Sequence, residues 1–249
     1  MGEALVGGLI AAGWAEAAAI TVVEPDDVRR TALADRFAGL VVAAEPVAAD
    51  GALVAVKPQH VPEVCRSLGE LGVVRILSIA AGVRLATIEA EVPATTAVVR
   101  AMPNTPALVG LGAAAIAGGS AATDGDLTWA EGILGAVGTV VRVAEAQLDA
   151  VTGLSGSGPA YVFLVAEALI DAGVLVGLPR DIATDLVVQT IRGAAGLLAT
   201  GQSAADLRAA VTSPGGTTAA GLQALESAAV RAAFADAVTA ATVRSRQLG

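Results

Sequence analysis

The chain has 249 residues, 55% of them hydrophobic but only 2% aromatic, and a formal net charge of −9. That length suits two modest domains, with a core built from Ala, Val, Leu and Ile as in closely approaching helices and buried parallel strands. A lone cysteine, Cys65, and a lone histidine, His60, exclude a disulfide framework and a Cys/His metal site, and fourteen arginines scattered over an acidic chain leave no basic stripe for nucleic acid.

In chain order, Met1-Gly2-Glu3-Ala4-Leu5 resembles the tail of a dinucleotide fingerprint, with Gly2 in the place of its last glycine, where a helix packs tightly on a strand. Glu3 and the lack of a basic stretch give no secretory signal, so a cytoplasmic protein is expected. The apolar run Ile20–Glu24 predicts a strand ending on an acid 22 residues after Gly2, where a carboxylate accepts ribose hydroxyls and repels a 2′-phosphate. Asp26 and Asp27 suit a helix start, and Arg29 and Arg30, one turn on, are near enough to reach round to a phosphate.

Further strands are predicted over Ala52–Val56, Val73–Ile79 and Ala97–Arg100, and their alternation with helix-like segments argues for a Rossmann-like parallel sheet with crossover helices. Lys57, the only lysine, stands before Pro58 at a strand's carboxyl end, where open α/β sheets bind ligands; an ordinary surface lysine is the alternative. The longest uncharged run, Ala101–Thr123, is broken by Pro103, Pro106, Gly110, Gly112, Gly118 and Gly119, so it reads as two buried strands and a loop rather than a membrane span.

After residue 146 the apolar spacing becomes helical, with long segments from Pro159 to Val176 and from Pro179 to Thr200. These helices carry more apolar surface than about a hundred residues can bury alone, which implies a partner subunit. Ser155-Gly-Ser-Gly-Pro159 is a loop-to-helix turn open to a structural or a binding role, and Tyr161 reads as a core or interface residue. Near the C-terminus, Pro214, Gly215 and Gly216 end one helix, and Thr217 and Thr218 stand where the next begins. Free amides and hydroxyls therefore converge on one spot, as either a capped turn or a carboxylate site.

Four blocks in order, Ala55-Val-Lys-Pro58, Arg100-Ala-Met-Pro-Asn-Thr-Pro106, Leu154-Ser-Gly-Ser-Gly-Pro-Ala-Tyr161 and Thr212-Ser-Pro-Gly-Gly-Thr-Thr218, make the chain resemble the pyrroline-5-carboxylate reductases over nearly its whole length. The resemblance implies a Rossmann-like α/β domain over 1–146 and an all-α dimerisation and substrate domain over 147–249. It also implies reduction of 1-pyrroline-5-carboxylate to proline with NADPH or NADH, in a homodimer that can stack into larger rings. In that family a first strand and two glycines precede Gly2, so the chain is expected to start late.

By the same resemblance Gly2, Glu24, Ala55, Val56, Lys57 and Pro58 contact the cofactor, and Ile79, Ala80 and Ala81 line its nicotinamide side. Met102 and Pro103 close that strand end, with Asn104 beside the substrate. The amides of Gly215, Gly216 and Thr217, assisted by Ser213, hold the substrate carboxylate, and the Thr218 hydroxyl hydrogen-bonds the ring nitrogen as the catalytic contact. A β-hydroxyacid dehydrogenase would carry a lysine on the helix opening its second domain, whereas this chain has none after Lys57. A non-catalytic helical dimer module or fragment is the alternative of another class.

Overall fold

In a computed structural model, which describes residues 1–248, short strands and helices alternate through the first half of the chain. Helix α1 (Gly2–Ala11) is followed by strand β1 (Thr21–Val23), α2 (Asp27–Arg36), β2 (Val41–Ala43) and β3 (Ala52–Val54). Then come α3 (Val61–Glu70), β4 (Arg75–Ser78), α4 (Leu85–Glu89), β5 (Ala97–Met102), β6 (Gly112–Gly118), α5 (Asp124–Gly135) and β7 (Gly138–Arg142).

Local chemistry sets the helix starts. Asp26 caps α2 by accepting the Arg29 amide, and Thr123 and Asp126 form a reciprocal capping box on α5. Hydrogen bonding to Thr123 also holds the Asp126 carboxyl below its usual range.

The strands form a two-stranded sheet, β1-β2, and a five-stranded sheet ordered β3-β4-β5-β6-β7. Strands β3, β4 and β5 are parallel, as expected, with Val54 opposite Ser78 and Ser78 opposite Arg100. Strand β6 departs from the parallel expectation: it runs antiparallel to β5, with Met102 opposite Ala115. The segment between them, residues 103–111, is shorter than the dozen or so residues of a parallel crossover, so the chain turns back. Strand β7 then pairs parallel to β6 through the α5 crossover.

Successive residues of each strand point to opposite faces, and both faces are covered. Ile76, Val98 and Ala115 join Val54, Val61, Cys65 and Ile88 in one core cluster, whereas Leu77, Val99 and Ile116 join Leu5, Leu9, Ile133 and Leu134 in another. Arg100 is buried in β5 and neutralised by Glu145, whose Oε1 accepts from its guanidinium at 3.0 Å and from the Leu85 amide at 2.7 Å.

The second half is helical, as the period change predicts: α6 (Leu148–Val151), a π-helical segment over Thr152–Gly156, α7 (Gly158–Leu175), α8 (Arg180–Leu198), α9 (Ala204–Ala210), α10 (Thr217–Ser227) and α11 (Val230–Leu248). The compact units are Met1–Ser157 with the chain from Thr239 on, and Gly158–Val238. The end of α11 thus belongs to the first unit. There the buried Ser245 hydroxyl donates to Asp149 at 2.6 Å.

In the second unit α7 and α8 pack together, yet among the described residues α7 contributes no buried side chain and α8 only Ala183. Phe163, Leu164, Leu186 and Val188 are exposed apolar residues on these helices. By length and composition the helical run Glu145–Leu175, with a mean hydropathy of 1.5 in its most apolar stretch, would suffice to cross a membrane.

Candidate active site

Because β3, β4 and β5 are parallel and in register, the residues after them share one carboxyl edge. Ala55–Pro58, Ile79–Ala81 and Met102–Asn104 are brought together there. The edge is shaped by small or tightly held residues: Ala80 and Pro103 are buried, Ala55 and Lys57 are exposed, and the Ile79 amide donates to the Val54 carbonyl at 3.1 Å. Gly2 belongs to the same end, since a Cβ added to it would lie 3.4 Å from the Ala55 Cβ. No side chain caps α1, whose start lies beside Ala55, and uncapped helix starts are where anions such as a pyrophosphate bind.

Glu24 continues the pairing of β1, its amide donating to the Ala43 carbonyl at 2.9 Å. Its Oε1 accepts the Asp26 amide at 3.2 Å, and its Oε2 lies 3.2 Å from Arg29 Nε. A carboxylate is therefore fixed at the end of the strand, where a dinucleotide's ribose is read.

Asn104 is nine-tenths buried and works at both ends. Its Nδ2 donates to the Ser155 carbonyl at 3.0 Å and its Oδ1 accepts the Ala113 amide at 2.8 Å, leaving one N–H and one lone pair for a ligand. The Ser155 hydroxyl is turned back onto the Val151 carbonyl at 3.1 Å, and the Ser157 amide donates to the Thr152 carbonyl at 2.8 Å. The front of the Ser155–Pro159 turn thus supports the Met102–Asn104 strand end, a role the glycines alone do not signal. The π-helical turn that makes this possible had no signature in the sequence.

In the second unit the chain from α9 to α10 does what its composition foretells. Gly215 has φ +71°, a left-handed conformation that favours glycine, and the Gly216 amide donates to the Ser213 carbonyl at 3.1 Å. A side chain on Gly216 would run into the Ser213 hydroxyl. Thr217 is the first residue of α10, and no side chain caps that helix at Gly216. The exposed residues Thr217 and Thr218 stand at this helix N-terminus.

Beside the turn, Arg208, Ala209, Thr212 and Leu222 line a shallow concavity, and the Thr212 hydroxyl donates to the Arg208 carbonyl at 2.6 Å. Glu226 is held by Arg231 at 2.7 Å and Arg208 at 3.8 Å, and these guanidiniums keep its carboxyl below the usual range. Tyr161, in the same unit, donates its hydroxyl to the Ala237 carbonyl at 3.5 Å, which fits a structural tyrosine.

A parallel carboxyl edge with an uncapped helix start and a strand-end acid, followed by a helical unit, is the plan of dinucleotide-binding oxidoreductases. Comparison with known proteins narrows the class. Residues 145–248 match the family described as pyrroline-5-carboxylate reductase dimerisation, and residues 1–82 match NADP oxidoreductase, coenzyme F420-dependent.

The chain is 43% identical to a pyrroline-5-carboxylate reductase of Mycobacterium tuberculosis, covering all of this chain and 93% of that protein. It is 46% identical to one of Synechocystis, covering 100% and 95%. Among solved structures it resembles a pyrroline-5-carboxylate reductase of Coxiella burnetii with a TM-score of 0.93 at 36% identity, over 99% of this chain and 94% of that one. It also resembles a Plasmodium falciparum pyrroline carboxylate reductase with NADP bound, with a TM-score of 0.86 at 30% identity, over 100% and 94%. The chain belongs to the pyrroline-5-carboxylate reductase family.

Proposed function

We infer that this chain reduces 1-pyrroline-5-carboxylate to L-proline with NAD(P)H, the last step of proline biosynthesis, as a cytoplasmic homodimer or an assembly of dimers. The observation that carries the reading is the uncapped start of α10, where Gly215 holds a left-handed turn and two threonines follow.

A dihydronicotinamide, when bound at the carboxyl edge, would supply the hydride that the imine carbon takes up. What the chain must supply is position, because a protonated cyclic imine is already a good electrophile. The backbone amides of Gly215, Gly216 and Thr217, with the Ser213 hydroxyl, hold the substrate carboxylate at the positive end of α10. The Thr218 hydroxyl hydrogen-bonds the ring nitrogen as the imine becomes an amine. The residues of the carboxyl edge fit a dinucleotide: Gly2 and the open start of α1 for the pyrophosphate, Glu24 for the ribose, and Ala55–Pro58, Ala80, Ala81, Met102 and Pro103 for the rest. The exposed apolar surface of α7 and α8 is covered by a second copy rather than by lipid, which the match to a dimerisation family supports.

Oxidation of NADH and NADPH with pyrroline-5-carboxylate tests the reading, and Thr218→Ala tests the assigned contact. Loss of that hydrogen bond is expected to lower kcat/KM by roughly 5- to 150-fold. Unchanged kcat/KM in Thr218→Ala removes the role, and no imine-dependent oxidation of either dinucleotide removes the function.

A further inference from the structure

Glu24 decides which dinucleotide this chain takes: we propose that it selects NADH over NADPH, because neither arginine beside it is free for a 2′-phosphate. The inference rests on the dinucleotide-binding reading of the carboxyl edge and goes beyond it to the choice of cofactor.

The Glu24 side chain is 19% exposed and is held in place by the Asp26 amide on one oxygen and Arg29 on the other. An ionised carboxylate has about four acceptor positions, so two remain for the vicinal ribose hydroxyls, both of which are donors. A phosphate on the 2′ oxygen removes one of those donors. It also places an anion against Glu24, with Asp26 and Asp27 following in the next turn.

A cation could offset that repulsion only if one were uncommitted. Arg30 spans the turn, its NH1 donating to the carbonyls of Glu24 at 2.7 Å and Pro25 at 2.8 Å, while its NH2 pairs with Asp27. Its role is to hold the strand-to-helix turn. Arg29 is occupied by Glu24 itself, in a surface pair of the kind that is weak and easily redirected once the carboxylate is gone. The same acid therefore recruits the ribose and sequesters the nearest phosphate ligand.

The test is direct binding to the full chain, by nicotinamide fluorescence and by calorimetry, at physiological ionic strength. NADH is expected to bind about tenfold or more tighter than NADPH. Glu24→Ser is expected to weaken NADH by about tenfold and to tighten NADPH, reversing the order, as the freed Arg29 meets the 2′-phosphate. Adding Arg29→Ala to Glu24→Ser should abolish the gain for NADPH and leave NADH where the single variant put it. Arg30→Ala should weaken both dinucleotides alike.

Equal affinities in the unsubstituted chain, tighter NADPH, or a preference unmoved by Glu24→Ser would overturn the inference while leaving the dinucleotide site intact. Failure of both nucleotides to bind would overturn the site reading as well.

Discussion

Replacing Asn104 by alanine removes two hydrogen bonds that tie the end of β5 to the start of β6 at Ala113 and to the distant Ser155. Both partners are half-buried, so losing the side chain strands one carbonyl and one amide with restricted access to water. At about 1–1.5 kcal/mol for each bond lost with its partner poorly resolvated, the expected destabilisation is about 2–3 kcal/mol. For a chain of this size that corresponds to a Tm lower by roughly 5–10 °C. Asn104→Leu fills nearly the same volume without the amide and should cost as much, which separates the hydrogen bonds from simple cavity formation. The assay is urea unfolding at one fixed protein concentration, since association shifts apparent stability. If Asn104→Ala and Asn104→Leu both lie within about 0.5 kcal/mol of the unsubstituted chain, these bonds do not fasten the strand end and the argument fails.

Gly215→Ala should cost about 1–2 kcal/mol from the left-handed backbone alone, because no other atom lies within 4 Å of the added Cβ. Steady-state kinetics should show a raised KM for the imine with dinucleotide affinity unchanged. Glu145→Ala leaves the buried Arg100 guanidinium unpaired and is expected to destabilise by about 3 kcal/mol, with Glu145→Gln losing less than half of that; urea unfolding of the two variants checks the order. Burial, aided by the Glu91 charge, pushes the Cys65 thiol up to about 11 from an ordinary 9.0. The unfolded chain therefore ionises first, so stability is fully present below about pH 9 and falls as pH rises through 11. Unfolding free energies across that window should fall for the native chain and stay flatter for Cys65→Ala. Holding Asp126 below its usual range works in the opposite direction: its contribution is present at neutral pH and is lost on acidification, and Asp126→Asn should flatten the acid limb of the stability curve.

By itself the sequence determined whatever depends on neighbouring residues. Pro214-Gly215-Gly216 favoured a turn and Thr217 a helix start, because glycine tolerates left-handed backbone and proline cannot continue a helix past its first turn. The alternation of short apolar runs marked β1, β3, β4 and β5 but not β2 or β7, and the later change of period marked the helices, because side-chain burial follows backbone period. Lys57 could be put at a strand's carboxyl end in advance, whereas Ile79–Ala81 and Met102–Asn104 were placed beside it by the family resemblance.

Only the tertiary structure decided pairings between distant residues: β6 turning antiparallel, Asn104 reaching Ser155, and Ser245 reaching Asp149 across 96 positions. The commitment of Arg29 and Arg30 to Glu24 and its turn was also invisible, although all three lie within seven residues. A long side chain has several partners within reach. Which one it takes depends on where the folded backbone leaves a carbonyl or carboxylate unpaired, and the order of residues along the chain does not specify that.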